Sequence, residues 1–181
     1  TGKLLNPEVL TIVWARRFAA YKRADLIARD TKLFNKLLSN PDRPVQMIWA
    51  GKPYPFDYGA IDIFNDLIDL TADHNNATVL VGYELELSRE MKNGADIWLN
   101  NPVITREASG TSGMTAAMNG AVNLSTYDGW VCEFCGPKGG GHNSRKPVAF
   151  IASPADPALS PEQRDKHDML EIHRLLNEQI L

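Results

Sequence analysis

The sequence predicts an α/β fold, a parallel β-sheet with helices packed on both of its faces. Three observations predict it. Short apolar runs alternate with longer stretches of helical periodicity. The apolar runs are nearly continuous, without the in–out alternation of a half-solvated sheet, so both of their faces need cover. Of 181 residues, 44% are hydrophobic and 23% charged, enough apolar content for one core.

The elements follow in order. Val9 to Trp14 reads as a buried strand. From about Ala20 to Leu38, the residues Leu26, Ile27, Leu33, Phe34, Leu37 and Leu38 share one helical face. Val45 to Trp49 is a second strand, closed by A-G-K-P-Y-P. Ile61, Phe64, Leu67 and Ile68 mark a second helix, and T-V-L-V-G-Y from Thr78 a third strand. Leu85 to Asn93 reads as helix and A-D-I-W-L-N from Ala95 as the fourth strand. After R-E-A-S-G-T-S-G-M-T (106–115), a short helix runs through Met118, and A-V-N-L-S from Ala121 is a fifth strand. V-A-F-I-A from Val148 is a sixth. The terminal helix, about 160–181, starts at a capping box, Ser160 with Gln163, and has Pro161 in its first turn. This order describes a Rossmann-like layer arrangement with ligands expected at the carboxyl ends of the strands.

Composition limits the partners. A formal net charge of -3 gives no reason to expect nucleic acid or an anionic membrane. The apolar runs are too short to span a bilayer, and no signal-peptide pattern is present. Two cysteines fit a reducing, cytoplasmic setting. The chain opens T-G-K-L-L-N-P without Met and reads as a piece of something larger.

Two segments fall where ligands are expected. The first, after strand one, crowds Arg16, Arg17, Lys22 and Arg23 into a dozen residues entering a helix. Cations there are disfavoured by the helix dipole unless an anion shares the site. The segment therefore reads as a phosphate clamp or as a solvated face with ion pairs. The second is the 106–115 run. Gly110 and Gly113 permit close backbone approach, Thr111 or Ser112 can cap the next helix, and amides 110–113 can form an anion nest. Glu107 can accept hydrogen bonds from sugar hydroxyls. The other reading is a Gly-Ser turn beside an exposed acid. Taken together, cations and a nest with a carboxylate suit a sugar bearing a phosphate.

Four stretches carry a resemblance: A-R-R-F-A-A-Y-K-R-A-D-L, A-G-K-P-Y-P, N-G-A-D-I-W-L-N-N-P, and R-E-A-S-G-T-S-G-M-T-A-A-M-N-G-A-V-N-L-S-T-Y-D-G-W. From about Leu10 to Phe134 the chain resembles the carboxy-terminal domain of α-glucan (glycogen, starch, maltodextrin) phosphorylases. The resemblance implies the second Rossmann-like domain of a GT-B glycosyltransferase, with 1–181 as one domain. It also implies an amino-terminal domain that completes the active site, so the fragment alone is expected to be inactive. The implied reaction is retaining phosphorolysis of an α-1,4-glucan to glucose 1-phosphate. By resemblance, Arg17 and Lys22 hold the transferable phosphate and Arg16 lies near the cofactor phosphate. Glu107 binds a glucose hydroxyl, and Ser109 and Gly110 donate to the same sugar. Thr111, Ser112 and Gly113 surround the cofactor phosphate. No metal is implied. The family's cofactor is pyridoxal 5′-phosphate, held by a lysine after Met114, where this sequence has Thr115. Threonine cannot form a Schiff base. Related enzymes that use nucleotide sugars often carry a second glutamate at that position, and Thr115 is not that either. Three readings stand: a phosphorylase relative without a covalent cofactor, a nucleotide-sugar glucosyltransferase, and a non-catalytic glucan-binding domain.

Other residues give weaker signals. Cys132, Cys135 and His142 suggest zinc, but a fourth ligand is missing nearby, and free thiols in a strand and loop are the plainer reading. His142 and Asn143 lie on the glycine-rich stretch from Gly136 to Pro147, read as a solvated loop. His167 and His173 are expected to be partly exposed on the terminal helix. Trp14, Trp49, Trp98 and Trp130 are expected in the core, Trp130 with the further option of lining the cleft.

Overall fold

The computed structural model describes residues 2, 5–82, 84–136 and 148–181. Six strands form one sheet: β1 (Leu10–Ala15), β2 (Val45–Gly51), β3 (Ala77–Val81), β4 (Ile97–Asn100), β5 (Val122–Thr126) and β6 (Ala149–Ala152). All pair in parallel, in the order β3-β2-β1-β4-β5-β6. The helices are α1 (Thr31–Leu38), α2 (Tyr58–Ala72), α3 (Leu85–Asn93), α4 (Thr111–Met118), α5 (Val131–Phe134) and α6 (Pro161–Leu175). The chain builds outward from β1 to β3, then returns to lay β4 on the other side of β1. That reversal splays the loops leaving β1 and β4 and opens a crevice at their carboxyl ends.

Alternate residues of β1 supply opposite faces of the sheet. Ile12 and Trp14 join Phe34 of α1, Phe64 and Leu67 of α2, and Met169 and Ile172 of α6. Val13 and Ala15 join Ile48, Trp98 and Ala116, covered by Leu87 and Met91 of α3. Trp14, Trp49 and Trp98 are all fully buried. Each such ring contributes on the order of 4–6 kcal/mol of gross transfer free energy. The fold is therefore the expected Rossmann-like one, with helices on both faces. Among the described residues, no helix is long and apolar enough to cross a membrane.

The stretch 20–38 differs from its expectation. It holds two 3₁₀ turns, Ala20–Lys22 and Leu26–Ala28, before α1 begins. Arg23 has φ 48, a left-handed conformation that ends the first turn. Asp30 then starts α1 afresh, its carboxylate accepting from the amides of Lys32 and Leu33. Leu26 and Ile27 are still fully buried, which is why their spacing resembled a helix face. Cys132 lies in α5 and Cys135 just after it, not in a strand. Both are free thiols, Cys132 exposed and Cys135 buried. Residues 137–147, with His142 and Asn143, lie outside the described residues, as does Tyr83.

The terminal helix starts as its sequence predicts. Ser160 Oγ accepts from the Gln163 amide, and the Gln163 side chain accepts from the Ser160 amide. His167 is partly exposed, but His173 is buried at 3%, because its helix face packs on the Leu26–Ala28 turn. Its Nε2 donates to the Ile27 carbonyl at 2.8 Å. Burial lowers its pKa, and the Ile27 bond and Asp30 only partly oppose this. The unfolded chain therefore takes up the His173 proton first as pH falls. Stability should be full above about pH 6.5 and decline from there down to the lower folded pKa. Thermal melts over that window should show a flatter profile for His173→Gln; an equally steep one would remove His173 as the cause.

Candidate active site at the crevice between strands one and four

The segment leaving β1 is strapped to the one leaving β2. The Arg16 amide donates to the Ala50 carbonyl at 3.0 Å and the Phe18 amide to the Lys52 carbonyl at 3.2 Å, and Phe18 bridges Pro53. Side chains alternate along this extended segment. Arg16 turns inward, 4% exposed, and donates to the Leu99 carbonyl at 2.9 Å and to Asn100 Oδ1. Arg17 turns outward, its guanidinium 5.4 Å from the centre of the Tyr54 ring.

The left-handed turn at Arg23 then sends neighbouring cations in opposite directions. Lys22 Nζ lies 3.2 Å from Glu107 Oε2, each side chain 14% exposed. The pair is ionic in distance but off the line of a hydrogen bond, leaving Oε2 without one. Arg23 is 2% exposed and is not part of a phosphate clamp. It donates to the Asn101 and Pro102 carbonyls and to Asp165 and Asp168. With no regular helix here, the dipole argument for a clamp falls away; carboxylates and carbonyls of the protein itself favour Arg16, Lys22 and Arg23, and Arg17 faces the Tyr54 ring. Burial raises the Asp165 pKa, but bonds from Arg23 and Arg29 outweigh it and hold the carboxyl below its ordinary value.

The 106–115 run crosses the crevice. Gly110, at φ 86, is itself the N-cap of α4, and no side chain caps the helix. Thr111 and Ser112 are therefore its first residues rather than caps. The Gly113 amide donates to the Gly110 carbonyl at 3.0 Å, and its Cα faces the sheet. A β-carbon there would lie 2.6 Å from Asn100 Nδ2, 2.8 Å from Asn123 Oδ1 and 2.8 Å from Trp130 Nε1. Gly113 thus lets α4 sit against buried amides: Arg16 donates to Asn100, Asn100 to Asn123 at 2.6 Å, and Asn123 to the Gly113 carbonyl at 3.2 Å. This chain of side chains registers α4 against the end of β1.

Arg16, Asn100, Glu107, Ser109, Gly110, Asp128 and Trp130 are among the residues that line one small hollow. The hollow leaves about 10 Å³, room for a single water. Arg17 and Thr115 are not among its lining residues. The sequence reading gave Asn100, Asn123 and Asp128 no role. The D-G dipeptide after β5 is a turn signal, but nothing local marks its partner.

Thr115 stands in the second turn of α4, its hydroxyl donating to the Thr111 and Ser112 carbonyls at 3.1 Å each. It has no amine, and its hydroxyl is taken up by its own helix. These residues do not fit an aldehyde cofactor held as a Schiff base at this position. Among the described residues, no group of three or more His, Cys, Asp or Glu could hold a metal ion.

The protein is thus a Rossmann-like domain with a carboxylate, buried and half-buried cations, and a glycine-opened helix at its switch point. It belongs to the carbohydrate phosphorylase family, whose model matches residues 1–140. It is 36% identical over 182 aligned positions to a maltodextrin phosphorylase of Thermococcus litoralis, covering 98% of this chain and 21% of that protein. It is 39% identical over 152 positions to a glycogen phosphorylase of Aquifex aeolicus, covering 82% and 21%. An uncharacterized protein of Methanocaldococcus jannaschii is 50% identical over 134 positions, covering 74% and 25%. The chain therefore spans only 21–25% of the length of these curated relatives.

Proposed function

We propose that this chain is the sugar-phosphate-binding, carboxy-terminal domain of a GT-B enzyme carrying out α-glucan phosphorylase-like glucosyl transfer in the cytoplasm. The observation that carries the reading is the Lys22–Glu107 pair beside Arg16 and the glycine-opened start of α4, at the strand-order reversal. In phosphorolysis, a phosphate oxygen bonds to the anomeric carbon and the glycosidic bond breaks. The released glucan oxygen takes a proton. Lys22, with Arg17 from the rim, neutralises the phosphate. Glu107 accepts from glucose hydroxyls, and backbone amides at Ser109 and Gly110 donate to the same sugar. Thr111 and Ser112, the first residues of α4, face a second phosphate-sized anion, while the Gly113 amide is taken by the Gly110 carbonyl. The acceptor side of the cleft belongs to an amino-terminal domain of the parent chain, so the domain alone binds without turnover. Thr115 favours a reaction or binding mode that needs no Schiff base. This keeps nucleotide-sugar transfer as the second reading.

Calorimetric titration with glucose 1-phosphate, a nucleotide glucose and a maltooligosaccharide tests the reading. Glucose 1-phosphate should bind, and Lys22→Met should weaken it about ten- to a hundredfold. Binding of nucleotide glucose alone would shift the assignment to the second reading. Glucan binding with silence toward both donors would reduce the domain to glucan recognition. Borohydride reduction of the parent protein as isolated, with no cofactor added, should leave the mass unchanged, and a pyridoxyl adduct on a lysine of this domain would overturn the absence of a Schiff base.

A further inference from the structure

We infer that Asp128 is a positioning residue that fixes where the Glu107 carboxylate stands. Glu107 lies on the irregular stretch between β4 and α4, so no helix or strand of its own holds it. The turn leaving β5 grips this stretch through three successive residues of its own, Asp128, Gly129 and Trp130. Asp128 Oδ2 accepts from the amides of Arg106 at 3.1 Å and Glu107 at 2.9 Å. Gly129, at φ 66, lets the two backbones meet: a β-carbon there would lie 2.5 Å from the Ser109 carbonyl oxygen. The Trp130 amide then donates to that same oxygen at 2.7 Å. Amide bonds to a carboxylate are stronger than neutral ones, and two share one oxygen here. Asp128 is only half-buried, so this arrangement is not required to neutralise a core charge. Its geometric result is a Glu107 carboxylate held 3.2 Å from Lys22 Nζ, on a residue that lines the hollow.

The inference rests on reading Glu107 as the sugar contact, and the test separates the two. Without ligand, hydrogen exchange of the Arg106 and Glu107 amides and the side-chain carboxyl ¹³C shift of Glu107 are followed by NMR. Asp128→Ala should speed both exchange rates at least about tenfold and move the Glu107 shift. Asp128→Asn, which keeps an acceptor oxygen, should restore both. An unmoved Glu107 shift in Asp128→Ala would overturn the inference whatever the ligand does. With glucose 1-phosphate, Asp128→Ala should weaken binding about tenfold, with Asp128→Asn within about threefold of wild type. If Glu107→Ala loses affinity while Asp128→Ala does not, the inference fails and the reading of Glu107 stands. If Glu107→Ala loses nothing, that reading fails, and the ligand-free shift alone decides the role of Asp128.

Discussion

Replacing Arg23 with methionine should lower the unfolding free energy by about 3–5 kcal/mol. The side chain is 2% exposed and its partner Asp168 4%. Methionine fills much of the volume but leaves the Asp168 carboxylate buried and short of a cation. It also leaves the Asn101 and Pro102 carbonyls without a donor. The effect reaches the site, because Asn101 and Pro102 begin the stretch that carries Glu107. Arg23 is also strained at φ 48, and Asn101 Nδ2 donates to its carbonyl at 2.6 Å to hold it there. Arg29, 34% exposed and also paired with Asp165, is the control: Arg29→Met should cost no more than about 1 kcal/mol. Urea unfolding of both variants measures the contrast. Equal, small losses would show that the Arg23 network is no more than a surface pairing. Adding Asp168→Leu to Arg23→Met should recover part of the loss, since the stranded charge is then gone.

The second large effect is expected at Gly51. An alanine β-carbon would lie 2.0 Å from the Arg16 carbonyl oxygen and 3.1 Å from Phe18 Cε2. The first of these is backbone, which cannot swing aside. The residue also has φ 156, at the edge of what a side chain tolerates. Gly51→Ala should cost about 3 kcal/mol, the upper end for overpacking, and push the segment leaving β1 away from β2. Arg16 reaches Leu99 and Asn100 from that segment, so its guanidinium should leave the hollow as well. The expected result is a lower urea midpoint together with loss of glucose 1-phosphate binding. Gly59 offers the comparison: its β-carbon would meet nothing within 4 Å, so Gly59→Ala should leave both measurements close to wild type. A Gly51→Ala protein of full stability would show that the two exits are not locked together.

These two residues show how far the sequence could be read. The strands were legible because both faces of each are buried, so apolar runs such as L-T-I-V-W-A needed no partner to be recognised. The 106–115 run was legible because glycines mark backbone that must come close to something. Arg23 was not. Four cations stood together; Arg16 and Arg23 turn inward, and the carboxylates that receive Arg23, Asp165 and Asp168, come from the far end of the chain. The same holds for Asn100 and Asn123, buried polar residues whose pairing appears only when β4 lies beside β5. His173 was misread because its burial comes from the Leu26–Ala28 turn, which local periodicity had merged into a helix. Pairings made by tertiary contact leave no local signature, and most of what positions this site is of that kind.

The Lys22–Glu107 pair has a consequence for affinity. Lys22 and Glu107 are each other's partner, so on the function proposed above a sugar phosphate meets a competitor that is part of the protein. Binding must draw on the fraction of molecules in which the pair stands apart. The measured dissociation constant is then the intrinsic one divided by that fraction. A domain that holds itself shut in nine molecules of ten would show about a tenfold weaker apparent affinity with every contact intact. Any surface that pulls Lys22 and Glu107 apart would tighten binding without touching the ligand. The Lys22–Glu107 pair is thus an interaction that any ligand of either group would have to break, and its free energy is subtracted from that ligand's affinity.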